Sequence, residues 1–172
     1  MLHITTATTA DLPALCRLVN LAYRPGANQA GWTHESALIV GARTDEAQLA
    51  AVLAAPGQVL LGWQAGQLVA CVHIEPADAY GYIGMLAVDP ACQAGGIGKA
   101  MLAHAEAVLA THYKLPRARM SVLAGRPELR AYYLRRGYLP TGERQPYPQD
   151  AGVGQPLDGS LDLEILEKPL VA

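Results

Sequence analysis

No basic run occurs anywhere in this 172-residue chain, and charged residues make up only 16% of it. With a formal charge of −2 and a pI near 6.2, the Arg117/Arg119 and Arg135/Arg136 pairs are too sparse for a nucleic-acid surface and are expected on solvated faces. Paired cysteines are missing as well. Cys16, Cys71 and Cys92 are odd in number and widely spaced, which predicts reduced thiols and no metal site. Cys16 and Cys71 lie among apolar neighbours and are expected in the core, whereas Cys92 has nothing beside it that would make it a nucleophile. A membrane-length apolar run is absent too. From Ala47 to Ile74 there is no formal charge, yet Pro56-Gly57-Gln58, Gln64 and Gly66-Gln67 break that stretch well short of the ~20 apolar residues a span needs. Met1-Leu2-His3-Ile4-Thr5 has neither the basic segment nor the apolar run of a signal peptide, so a cytoplasmic location is expected. What is present, 51% hydrophobic residues, suits a single domain over residues 1–172 that buries about 70% of its unfolded surface.

Periodicity predicts a mixed α/β (α+β) chain. Leu2–Thr5 reads as a first strand, followed by a helix capped at Thr8 or Thr9 with Leu12, Leu15, Cys16 and Val19 on one face. Residues 24–44 read as a loop with a short helix over Thr33–Leu38, and Asp45–Ala55 as a further helix. Val59–Trp63 and Leu68–Ile74 form a hairpin pattern around Gln64-Ala65-Gly66-Gln67, and Tyr80–Val88 is the next strand. Ile97, Met101, Leu102, Ala105, Val108 and Leu109 recur at helical spacing, leaving Lys99, His104 and Glu106 on the solvent face. Arg119–Leu123 is a strand, Pro127 opens a helix that Gly137 ends, and Leu161–Leu166 alternates as a final strand. The Pro- and Gly-rich stretch from Gln145 to Gly159 is long enough to suggest function.

The segment Val88-Asp89-Pro90-Ala91-Cys92-Gln93-Ala94-Gly95-Gly96-Ile97-Gly98-Lys99 joins a strand to a helix through glycines. Free N–H groups and the helix dipole at such a start favour an anion, and glycine lets it approach the main chain. A P-loop is excluded because Gln93 stands at its first glycine and Ala100 replaces the magnesium-binding hydroxyl. A dinucleotide fingerprint is excluded by Met101 at its third small position. An ordinary strand-to-helix turn stays open. Gln93-x-x-Gly96-x-Gly98 directly after Leu86-Ala87-Val88-Asp89-Pro90 resembles the acetyl-CoA signature of the GNAT superfamily of N-acyltransferases. That resemblance implies the GNAT fold, a central, mostly antiparallel, splayed mixed sheet of about seven strands flanked by helices. It also implies acetyl-CoA as acyl donor, with no metal. Main-chain groups of Leu86, Ala87 and Val88 would hold the pantetheine arm and polarise the thioester, and Gln93, Ala94, Gly95, Gly96, Ile97, Gly98 and Lys99 would hold the pyrophosphate.

Tyr133 in Tyr133-Leu134-Arg135-Arg136-Gly137-Tyr138 matches the superfamily's Tyr-x-x-x-Gly-Phe/Tyr, in which the tyrosine commonly protonates the departing thiolate. A phenol with a pKa near 10 stays protonated at neutral pH, which suits the role; a buried ring with a solvated hydroxyl is the structural alternative, and the adjacent Tyr132 is equally eligible for it. Many members carry Asn seven residues earlier, where this chain has Arg126, a residue expected to touch cofactor phosphate or substrate carboxylate, or to be an exposed helix-start arginine. The strand before the glycine turn holds no carboxylate, so Glu35 is the favoured general base, with Glu75, Asp78, His34, His73 and bulk water as alternatives. Gly81 and Gly84 inside that strand suggest room for a ligand or a bulge. Trp32, Glu35, Tyr82 and Gly84 are the expected acceptor-binding residues, with Arg43, Tyr147 and the 145–159 stretch around them. The expected reaction is acetyl transfer to a primary amine, on a small molecule, by direct attack in a ternary complex, with a homodimer possible. A non-catalytic acetyl-CoA sensor and a protein N-terminal or lysine acetyltransferase are the alternatives.

Overall fold

The computed structural model describes residues 1–26, 34–158 and 161–171. Its elements are β1 (His3–Thr6), α1 (Leu12–Tyr23), β2 (Ile39–Val40), α2 (Glu46–Ala54), β3 (Gln58–Gln64), β4 (Gln67–Pro76), β5 (Gly81–Val88), α3 (Ile97–Thr111), β6 (Arg117–Leu123), α4 (Pro127–Leu134), β7 (Leu139–Pro146), β8 (Gln155–Pro156) and β9 (Asp162–Pro169). Local chemistry sets the helix starts. Asp11 accepts from the Thr8 amide at 2.8 Å just before α1, Asp45 accepts from the Gln48 amide at 2.8 Å, and Pro127 occupies the first position of α4.

Seven strands form one sheet in the order β1-β3-β4-β5-β6-β9-β7, antiparallel except at β5–β6; β2 and β8 pair separately. Helices cover both faces. On one, α3 buries Met101, Leu102, Ala105 and Leu109 against Val72, Ile74, Ile83 and Met120. On the other, α1 and α2 bury Leu15, Leu18, Val19 and Leu49 against Leu61, Cys71 and Ala87. Strand β4 is therefore apolar on both sides, and burial pushes the Cys71 thiol up to about 12.

Two irregularities open the sheet. The parallel pairing of β5 with β6 extends over only Gly81↔Ala118 and Tyr82↔Arg119. Beyond it β5 is paired only with β4, and that ladder slips between Cys71 and His73, opposite Met85 at φ +50. A bulge there turns the main chain of Met85–Leu86 toward the gap.

Several expectations change. The short helix over 33–38 is absent from its described part, where residues 35–38 form turns leading into β2. The amides of Leu38 and Ile39 bond the Glu35 carbonyl, but the chain then extends to pair with β8. The 145–159 stretch is not a plain loop: it contains the end of β7, a 3-10 turn at Gln149–Ala151, and β8. Glu106 is not on a solvated face, for its carboxylate takes the Tyr138 hydroxyl at 2.8 Å and Lys168 Nζ at 2.7 Å. Arg117 and Arg119 both pair with Glu167 on β9. Gly81 leaves no space for a ligand, because the Leu109 side chain fills the place where its Cβ would stand. Gly81→Val is accordingly expected to cost about 1–3 kcal/mol by overpacking a fully buried leucine, seen as a lower denaturant midpoint at unchanged slope. An unmoved midpoint would mean that Leu109 swings aside freely.

Candidate active site

A cleft of about 520 Å³ lies between α4 and the end of β5 that β6 leaves unpaired. Leu86, Ala87 and Val88 form one wall, and Arg126, Leu129, Tyr132 and Tyr133 of α4 and its cap form the other. The glycine turn, Cys92 to Lys99, borders one end; Ala22 and Tyr23 from α1 border the other.

At the turn, Asp89 accepts from the Ala91 amide at 2.9 Å, and the chain passes through left-handed conformations at Ala94 (φ +74) and Gly96 (φ +75) before α3 begins. Alternation of this kind gathers successive N–H groups into an anion-binding hollow at the positive end of the helix dipole. A methyl on Gly96 would meet nothing within 4 Å, so this glycine is required for its backbone angle. Gly98 is tightly enclosed: a methyl would lie 3.1 Å from Tyr132 Oη and 3.4 Å from Val88 Cγ2. Gln93 Nε2 donates to the Val88 carbonyl at 3.3 Å, tying the turn to the end of β5. Ala94 had no sequence mark of its positive φ.

Tyr133 is buried, its ring edge-on to Tyr132 at 5.2 Å and to Tyr138 at 5.9 Å. Burial pushes its hydroxyl well above the usual phenol range, with the nearby Tyr23 acting in the same direction, so the proton is held. Tyr132 is half-buried, with the Arg136 guanidinium 3.3 Å over its ring.

At the other end the predictions fare differently. Glu35 is 7% exposed and pairs with Arg24 at 2.8 Å and Arg126 at 3.7 Å. Its carboxylate oxygens are occupied by guanidinium groups, so it serves as a buried cross-link, and nothing local to residue 35 marks the arrival of arginines from 24 and 126. Arg24 also donates to the carbonyls of Gly41 and Val153, each at 2.8 Å, and so pins the segment after β7 to the end of α1. Glu35→Ala is expected to cost about 3–5 kcal/mol by leaving two buried guanidiniums short of a carboxylate, read from the thermal or denaturant midpoint. Arg126 is 4% exposed, which overturns the exposed helix-start alternative. Gly84 is not open to an acceptor, since a methyl there would stand 2.6 Å from Tyr82 Cε1. Trp32 lies outside the described residues. No carboxylate or histidine among the described residues lines the cleft, and His73 Nε2 is buried. Tyr23, Leu129, Tyr132 and Arg136 line it without having been singled out for it; Tyr23, four residues after Val19 on α1, had a positional signal.

Among the described residues no helix is long and apolar enough to cross a membrane, and no cluster of three metal-ligating side chains occurs. No curated protein matches the chain. Solved structures do. The ribosomal-protein-S18-alanine N-acetyltransferase of Escherichia coli is 21% identical, with a TM-score of 0.75 over 100% of this chain and 96% of that one. The ribosomal-protein-alanine N-acetyltransferase of Brucella melitensis is 23% identical, with a TM-score of 0.68 over 98% and 99%. A GNAT family acetyltransferase from Elizabethkingia anophelis, with acetyl-CoA bound, is 17% identical, with a TM-score of 0.66 over 98% and 98%. The model of the Acetyltransferase (GNAT) family matches residues 15–138, a span that takes in the bulge, the glycine turn and Tyr133. By that match the chain belongs to the GNAT acetyltransferase family.

Proposed function

We propose that this protein transfers an acetyl group from acetyl-CoA to the amine of a small molecule. The supporting observation is one cleft that joins an anion-binding helix start, an unpaired strand edge and a proton-holding tyrosine. Acetyl-CoA fits this donor set, and bound there it supplies an acyl group activated as a thioester. Residues 93–99 hold its pyrophosphate through main-chain N–H groups and the helix dipole, with Lys99 adding a positive charge. The main chain of Leu86 and Val88, freed by the bulge and the short β5–β6 pairing, bonds the pantetheine arm and offers a donor to the thioester oxygen, an interaction worth about 3–4 kcal/mol where measured. Tyr133 gives its hydroxyl proton to the departing sulfur, and a neutral amine passes its own proton to water, since no base of the described residues lines the cleft. Arg126 braces the wall between the two ends. Holding amine and thioester together contributes most of the acceleration, about 7–11 kcal/mol in well-oriented systems.

A small acceptor is favoured by the packing of the segment after β7 against Arg24, the neighbour of the cleft residue Tyr23. Tyr147 is buried there and donates to the Val153 carbonyl at 2.8 Å, and β8 pairs with β2. Calorimetric titration with acetyl-CoA, then thiol release on a panel of small amines and of peptides with free N-termini, tests the reading. Binding with turnover of small amines supports it. Preference for peptides moves the acceptor to proteins, binding without any turnover points to a sensor, and no binding removes the acetyl-CoA site.

A further inference from the structure

Three arginines gather around Tyr23 of the cleft wall, Arg126 itself lining the cleft, and among the described residues Glu35 and Glu128 are the carboxylates that pair with them. Arg24 and Arg126 share the buried Glu35, and Arg126 also meets Glu128, whose side chain is 45% exposed. Arg43, in the turn between β2 and α2, makes no ion pair among the described residues. Its amide donates to Asn20 Oδ1 at 2.7 Å, which fixes its backbone, and its guanidinium lies 5.2 Å over the ring of Tyr23, a cleft residue. Tyr23 and Asn20 both belong to α1, so Arg43 stands against the α1 side of the cleft. Nearby, Arg24 Nε is buried and lacks an acceptor among the described residues.

Half-buried positive charge without a counter-charge is costly to keep, and it discriminates strongly among ligands that reach it. We infer, resting on the acetyltransferase reading above, that the acceptor is an amine bearing a carboxylate, an amino acid or short amino-acid-like acid, whose carboxylate pairs with Arg43. Arginine suits this task because its planar donors match a carboxylate in two bonds. The same charges repel polycationic acceptors such as polyamines and aminoglycosides.

The test is steady-state thiol release with matched sets: several amino acids, their carboxamides and their decarboxylated amines. Wild type should favour the acid over the amide by about ten- to hundredfold in kcat/KM, as a charge-assisted pair implies. Arg43→Gln should remove that preference, Arg43→Lys should restore part of it, and Arg43→Glu should turn it toward diamines. Acetyl-CoA titration and a melting curve for each variant establish that the fold and the donor site persist. Equal rates for acid and amide in wild type, or an acid preference that survives Arg43→Gln, overturn the inference. Where no set turns over, calorimetry of the same compounds against the CoA-saturated protein decides, with equal binding of acid and amide as the overturning result. Failure of wild type to bind acetyl-CoA sinks the acetyltransferase reading itself, whereas turnover of neutral amines without acid preference sinks only the carboxylate.

Discussion

Tyr133→Phe is expected to bind acetyl-CoA as the parent does while turning over about 10²-fold more slowly, the scale of a lost general acid. The change removes one oxygen from a ring packed between Tyr132 and Tyr138, so the wall of the cleft keeps its shape. A structural role for the hydroxyl would instead appear as a lower melting temperature with kcat intact. The pH profile separates the two further. Burial raises the hydroxyl above the ordinary value near 10, so wild-type kcat should show no alkaline fall attributable to this group as pH climbs toward that value. The sign for stability is the same: a raised phenol favours the fold throughout the range below its unfolded value, and that contribution is lost only as pH rises toward the folded one. An unchanged kcat in Tyr133→Phe would transfer the proton to water or to Tyr132.

Gly96→Glu is expected to weaken acetyl-CoA binding by about 10²–10⁴-fold in Kd. A carboxylate replaces the helix start's attraction for an anion, up to ~2 kcal/mol, with a repulsion that for like charges about 4 Å apart near a surface approaches ~4 kcal/mol. Gly96→Ala is the control. It carries only the strain of a Cβ at φ +75, about 1–2 kcal/mol of stability, and meets no neighbouring atom. If both variants lower affinity equally, the turn matters through its shape and not as an anion site. If neither does, the phosphates lie elsewhere.

The parts of this molecule that could be read from the chain are those whose cause is local. Glycines 95, 96 and 98 after an apolar strand, the alternation of Leu161–Leu166, and Tyr133 four residues before Gly137 mark turn, strand and cleft wall through neighbouring residues alone. The site's other half depends on partners far apart in sequence. Glu35 reads as an isolated acid in a polar stretch and becomes a buried cross-link only when residues 24 and 126 are brought to it. Gly84 looks like open space until Tyr82, two residues earlier on the same strand face, folds its ring across it. Strand β7, with Leu139, Pro140 and a run of exposed polar residues, carries no periodic signal because it lies at the sheet edge and buries almost nothing. The bulge after Gly84 was signalled by that glycine as one of two readings, but its positive φ falls on Met85, and methionine has no preference for such an angle.

The brevity of the β5–β6 pairing has a thermodynamic side. Two residue pairs join β1-β3-β4-β5 to β6-β9-β7, so the sheet is two half-sheets with few hydrogen bonds across the seam. A molecule wedged between Leu86–Val88 and α4 touches both halves and substitutes for the missing ladder. Saturation at a hundred times Kd would add about 2.7 kcal/mol to the folded state. That added stability acts across the seam, so the ligand-free protein should open its halves with separate amide-exchange free energies, and the loaded protein should open them together. Bound as proposed, the donor substrate would stand in for a missing strand of the fold.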